Sequence, residues 1–132
     1  MEILNPPGWP RPKGYSNGIS IGAGRMVYCA GMVGWNEREE FDAKDTVGQA
    51  RQIFKNIVAV LTEAKAKPEH IVRMTWYITD KDEYLNGGRE IGAAYREIIG
   101  RHFPVMAVVV VKGLIETGAK LEIEATAIVP ND

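Results

Sequence analysis

The chain has little of what builds covalent or metal-bound sites. Cys29 is its only cysteine, so no internal disulfide can form, which fits a reducing compartment. His70 and His102 are its only histidines, and neither stands at ligand spacing from the other or from Cys29. No metal site is expected. No histidine lies near Cys29 in sequence to activate it, so a buried strand cysteine is expected rather than a nucleophile. Apolar runs never approach the ~20 residues of a membrane-spanning helix. Excess charge is absent too: the formal net charge is -1, with Lys and Arg scattered, so neither nucleic acid nor an acidic membrane is an expected partner. The opening "MEILNPPGWPRPKG" has an acid at position 2 and several prolines, and it reads as neither signal nor transit peptide. These absences together point to a cytoplasmic protein. No glycine-rich phosphate loop stands between a strand and a helix; the glycines of "GAG" at 22–24 read as turn chemistry.

What remains is an ordinary globular balance, 45% hydrophobic and 25% charged over 132 residues, enough for one domain, 1–132, with one core. Residues 1–14, rich in Pro and Gly, are expected to run as an irregular arm. "GISIGAGRMVYCAGMVG" reads as two short strands around a tight turn at Ala23-Gly24, and "NEREEFDAK" as a solvated acidic linker. From Val47 to Ala64, apolar residues recur every three or four positions, which predicts an amphipathic helix. Thr46 and Gln49 suggest a capping box at its start, and Pro68 closes the segment. "HIVRMTWYITD" alternates, with Val72, Met74, Trp76 and Ile78 on one face. A second helix follows over "DEYLNGGREIGAAYREIIG", with an irregular first turn expected at Gly87-Gly88 and a left-handed stop at Gly100. Two more strands, Met106–Lys112 and Lys120–Val129, complete the order β-β-α-β-α-β-β.

This order predicts an α+β fold in which a mixed sheet carries two helices packed on one face. The stretch "VMAVVVV" is apolar on both faces. One face fits under the helices. The other has nothing of this chain left to cover it, and an apolar patch of that kind marks an interface, most simply with another subunit. In the last strand, Glu122 and Glu124 point together, ~7 Å apart. They are expected either as a salt-bridged pair at an interface, with Lys120 or Arg73 as candidate cations, or as one carboxylate that holds a water or passes a proton.

Six segments, "KGYSNGI", "YCAGMVG", "QARQIFKNIVAVLTEA", "HIVRMTWYITD", "AAYREIIGRHFP" and "AKLEIEATAIV", occur in an order and spacing that resembles the Rid family, also called YjgF and labelled L-PSP endoribonuclease. The resemblance covers nearly all of the chain from about residue 13. It implies a chorismate-mutase-like fold and a homotrimer with small-molecule clefts between subunits. It also implies cofactor-independent hydrolysis of reactive enamines and imines to keto acids and ammonia. Carried over by motif, Glu122 is the catalytic, water-positioning carboxylate, and Tyr15 and Gly31 bind substrate. Met106 stands where archetypal members carry the arginine that grips a substrate carboxylate, and Gly92 stands where an Asn is common. The resemblance thus places the chain in an Arg-less branch. Arg offers a carboxylate a bidentate partner, and Met offers only a polarisable thioether. Arg25, Arg73 or Lys13 are the cations considered as replacements. A non-catalytic trimer that binds a metabolite or a protein is the alternative. The ribonuclease suggested by the older label is disfavoured by the net charge and the lack of a basic patch.

Overall fold

A computed structural model describes residues 1–131. Its elements are β1 (Glu2–Ile3), β2 (Ile19–Ser20), β3 (Gly24–Val33), α1 (Thr46–Glu63), a 3-10 turn (Pro68–His70), β4 (Ile71–Ile78), α2 (Lys81–Asn86), α3 (Gly88–Ile98), β5 (Val105–Val110) and β6 (Leu121–Pro130). Four of the strands form one sheet in the order β3-β6-β4-β5. β6 runs antiparallel to both of its neighbours, and β4 and β5 are parallel, so the sheet is mixed. The architecture is α+β, as the hydrophobic periods predict.

The core lies between α1, α3 and one sheet face. Ile53, Phe54, Ile57 and Leu61 of α1 are fully buried against Met74 and Trp76 of β4 and Leu121, Ile123 and Ala127 of β6. The Phe54 ring meets Trp76 and Tyr95 edge-on, with centroids 5.7 and 5.5 Å apart. Such pairs add ~0.5–1.5 kcal/mol each beyond burial. The opposite sheet face carries Arg73, Tyr77, Glu122 and Glu124, and no element of this chain packs over it.

Several local expectations are corrected. There is no hairpin at Ala23-Gly24: β3 is one ten-residue strand, and Ile19–Ser20 pairs instead with Glu2–Ile3, so the arm is tied down at one point. Short polar and glycine residues there mark a link between two sheets rather than a reversal. Thr46 and Gln49 form no capping box. Asp45 is the N-cap, and the buried Gln49 turns inward. Its Nε2 donates to the carbonyls of Ala43 and Gly118, at 3.1 and 3.0 Å, and its Oε1 accepts from Lys120 N at 2.7 Å. Tertiary partners outcompete the local cap because they satisfy both ends of the buried amide. The second helix divides at Gly87 into α2 and α3, a fuller break than one irregular turn. Gly87 is buried, and a Cβ there would come within 2.7 Å of Val47. Close approach to α1, not flexibility, selects this glycine. In β4 a register shift between Ile71 and Arg73 turns Ile71, not Val72, into the core. Gly100 does adopt positive φ, +109°.

Glu83 of α2 holds the start of α1 from outside. Its carboxylate accepts from Thr46 N at 2.8 Å and from Lys120 Nζ at 3.1 Å. The Thr46 backbone N–H, foremost, holds its pKa below the ordinary 4.5. A depressed acid contributes stability above its unfolded-state value, and that contribution is lost as pH falls through the folded value. Glu83→Gln is therefore expected to cost on the order of 1 kcal/mol at pH 7. The gap between variant and parent should close in urea titrations repeated below pH 4.5.

Candidate functional site

The sheet has two free edges, β3 and β5, and the candidate residues divide between them. At the β3 edge, a bulge between Cys29 and Met32 takes Ala30 and Gly31 out of register with β6. A bulge redirects backbone groups and weakens local pairing. Glu122, on the next strand, reaches across this gap: a Cβ at position 31 would lie 2.5 Å from its Oε2. Glycine is required so that the carboxylate can lie over the backbone. Both residues line a recess of about 770 Å³ with Asn36, Lys55 and Asn56. Ile115, from the loop before β6, is 96% exposed on the rim of the same recess.

At the β5 edge lie Met106 and Tyr15. Ser16 fixes the segment around Tyr15, since its N donates to the Pro104 carbonyl at 3.1 Å and its Oγ to the Phe103 carbonyl at 2.5 Å. Tyr15 is thereby held beside the start of β5, with its ring largely exposed. Met106 pairs with Met74 and so lies on the helix side of the sheet, in the wall of a second recess with Trp76, Tyr84, Tyr95 and Phe103. Lys13 lines it as well, and so does Arg96 of α3. Glu122 pairs with Tyr77 and lies on the other side. One chain thus brings Gly31 to Glu122; Met106 stands on the opposite face of the sheet, and Tyr15 lines a separate recess with Arg101 and His102 near the start of β5. β4 stands between Glu122 on β6 and Met106 on β5, so two strand spacings of ~4.8 Å as well as the sheet itself hold them apart.

Several other titratable groups have local partners. Glu124 accepts from Tyr77 OH at 2.7 Å, and this bond foremost pushes the phenol's pKa up. Lys120 pairs with Glu83. Within the single chain, Glu122 and Glu124 form no ion pair among the described residues; Glu124 bonds Tyr77, and Lys120 bonds Glu83. His70 Nδ1 accepts from Lys67 N, and His102 Nε2 meets the Ile71 carbonyl. Burial pushes the Cys29 thiol's pKa up, away from thiolate chemistry. No cluster of three or more potential metal ligands occurs among the described residues, and no helix among them is long and apolar enough to cross a membrane.

Two site features escape the sequence reading. "NEREEFDAK" is an ordered turn built on the buried Asn36, whose Oδ1 accepts from the N–H groups of Arg38 and Glu40 and whose Nδ2 donates to Asp42. The Asn at its head was the available signal, since Asn side chains organise such turns. Arg96 was the other: it follows Gly92 by four residues, which places both on one helix face.

Three helices and a mixed sheet in one α+β domain match structures of the YjgF/Rid type. The family described as endoribonuclease L-PSP matches residues 10–129, and the chain belongs to that family. Protein DfrA of Myxococcus xanthus is 31% identical over 119 residues, 86% of this chain and 84% of its own length. The 2-iminobutanoate/2-iminopropanoate deaminase of Salmonella typhimurium is 31% identical over 117 residues, 86% of each chain. The crystal structure of YyfB from Yersinia pestis, a protein of unknown function in the conserved Rid family, superposes with a TM-score of 0.82 at 28% identity, covering 97% of this chain and 98% of that one.

Gly31→Ala is expected to displace the Glu122 carboxylate while leaving the fold intact, because the nearest atom is the end of a flexible side chain. Melting temperature should change by only a few degrees, consistent with less than ~1 kcal/mol. A crystal structure of the variant should show Glu122 swung away from the bulge.

Proposed function

We propose that this chain forms a homotrimer whose inter-subunit clefts hydrolyse a small imine or enamine derived from an amine metabolite. The observation that carries the proposal is the division of the site. Glu122 with Gly31 sits towards one sheet edge, and Met106 lies on the other edge strand, with Tyr15 near the start of that strand. Joining the β3 edge of one copy to the β5 edge of the next is a heterologous contact, and such contacts close into rings when the rotation allows. It would bring the two half-sites into one cleft and cover the valines of β5. Val108, Val109 and Val110 are 38%, 41% and 57% exposed in the single chain. The Salmonella typhimurium relative's name supplies the reaction class.

In the proposed reaction Glu122 takes a proton from water as the water oxygen bonds to the imine carbon. Glu122 returns that proton to nitrogen, giving a carbinolamine; it then takes the carbinolamine's hydroxyl proton and passes it to nitrogen as the C–N bond breaks, so that ammonia leaves with a carbonyl product. Gly31 backbone groups, freed from the ladder by the bulge, orient the substrate, and Tyr15 closes the cleft. No resident cofactor or metal enters these steps. The second reading is a trimer that binds a metabolite without turning it over. Met106 favours it, since its thioether cannot hold a compact imino acid by the carboxylate as Arg would.

Ammonia release from a panel of imines generated in situ tests the reaction. Glu122→Gln should lower turnover by about 10²–10⁴-fold with the assembly intact. Ammonia release by neither parent nor variant would favour the binding module.

Sedimentation equilibrium should give about three times the 14.6 kDa chain mass. Val109, which pairs with Tyr77 and shares its uncovered face, is the test position. Val109→Asp should yield monomers or unfolded chain, since an unpaired buried charge costs several kcal/mol. A wild-type monomer at micromolar concentration would remove the cleft.

A further inference from the structure

The recess floored by Met106 is larger and more apolar than a compact imino acid needs. It lies between α2–α3 and β4–β5, has a volume of about 270 Å³, and takes its walls from Trp76, Tyr84, Tyr95 and Phe103. At ~30 Å³ for each water-sized unit, that is space for about nine non-hydrogen atoms. Its charged groups are only Lys13 and Arg96, both cations, and neither forms an ion pair among the described residues. The Arg96 guanidinium lies back over Gly92: a Cβ at position 92 would stand 3.2 Å from its Nη1. At Gly88, one turn earlier, an added Cβ would meet nothing within 4 Å. The two glycines leave room on this helix face, and the first of them lets the arginine fold in. One donor in the wall is unmet: the Trp76 indole N–H is buried and has no acceptor among the described residues.

We infer that Arg96 is the carboxylate-binding residue of this cleft, and that the substrate is an α-imino acid with an aryl or branched apolar body. The inference rests on the reading of the cleft as an imine-handling site, and it moves the anion partner from the strand to the helix. The apolar body sits on Met106 among the aromatic rings, where a flexible thioether packs well against π faces. The carboxylate turns outward to Arg96, with Lys13 close by. A substrate with only a methyl body would leave most of the recess unfilled, and Met106 gives its carboxylate nothing to bind.

Calorimetric titration of the wild-type protein with the stable keto acids phenylpyruvate and pyruvate tests this without requiring turnover. Phenylpyruvate should bind at least tenfold more tightly than pyruvate. Arg96→Gln should weaken phenylpyruvate by about tenfold or more, the usual worth of a charge-assisted bond. It should leave phenylacetone, the same ketone without the carboxylate, unchanged. Arg96→Lys should restore part of the loss. Arg96 is exposed on α3 in its last turn, where any cation favours the helix, so Lys also controls for a purely structural effect. Equal binding of the two keto acids, no binding of phenylpyruvate, or full phenylpyruvate affinity in Arg96→Gln would each overturn the inference. Failure of the proposed reaction reads differently: ammonia release would be absent for every imine while the Arg96-dependent preference for phenylpyruvate persisted. Conversely, ammonia release that Arg96→Gln does not alter would sustain the reaction and overturn Arg96.

Discussion

One-sided cover of the sheet is the constraint from which the rest follows. Two helical layers' worth of apolar side chains, from α1 and α3, meet one face of four strands and fill it. That face supplies the core, with Phe54, Trp76 and Tyr95 as its aromatic centre. The chain then has no element left for the other face or for either edge. Unpaired strand edges and uncovered valines are normally managed by charge, bulges or a partner. Here the β3 edge is bulged at Ala30-Gly31, and the β5 edge is a run of valines that nothing in the chain blunts. The irregular edge carries the carboxylate and the regular one carries the apolar recess. A division of that kind has chemical use only if copies meet edge to edge.

A single buried amide links this layering to the site. Gln49 lies on the inward face of α1 and fixes the Gly118 carbonyl and the Lys120 N–H. Lys120 is the last residue before β6, so the amide sets where that strand begins. Because side-chain direction alternates, a slip of one residue would turn Glu122 into the core and Ile123 onto the open face. The Thr79 hydroxyl and N–H, both bonded to the Lys120 carbonyl, hold the same point from β4. The position of the candidate carboxylate is therefore decided by polar contacts on the far side of the sheet from it.

Period and alternation made the layers legible. The step of three to four residues along α1 and the alternation in β4 and β6 come directly from burial on one side, so sequence pattern and structure report the same cause. The misreadings share a different cause. Glycine and short polar residues near Ala23 suggested a reversal, but their neighbours pair with the distant Glu2–Ile3. Gln49 looked like a local cap because the loop that it holds lies 69 residues away. Asn36 looked solvated because its neighbours are acidic, although the side chain itself is buried in the turn that it organises. Local pattern cannot report contacts that depend on where distant segments return.

The site was legible in the same uneven way. Glu122 and Gly31 could be named as candidates from motifs, and the structure sets them side by side across the bulge, where only a residue without a Cβ lets the carboxylate lie. Met106 could be recognised as a departure, but not what accompanies it. Met106 and Gly92, the two departures that the resemblance implies, look independent in the sequence. In the fold they open one space, and the Arg96 guanidinium occupies its edge because position 92 is bare. A cleft that exchanges a strand cation for a helix cation and an apolar floor need not have lost its anion site. With Arg96 as the proposed carboxylate partner, that site stands outward by the length of an arginine, with room beneath it for a longer ligand.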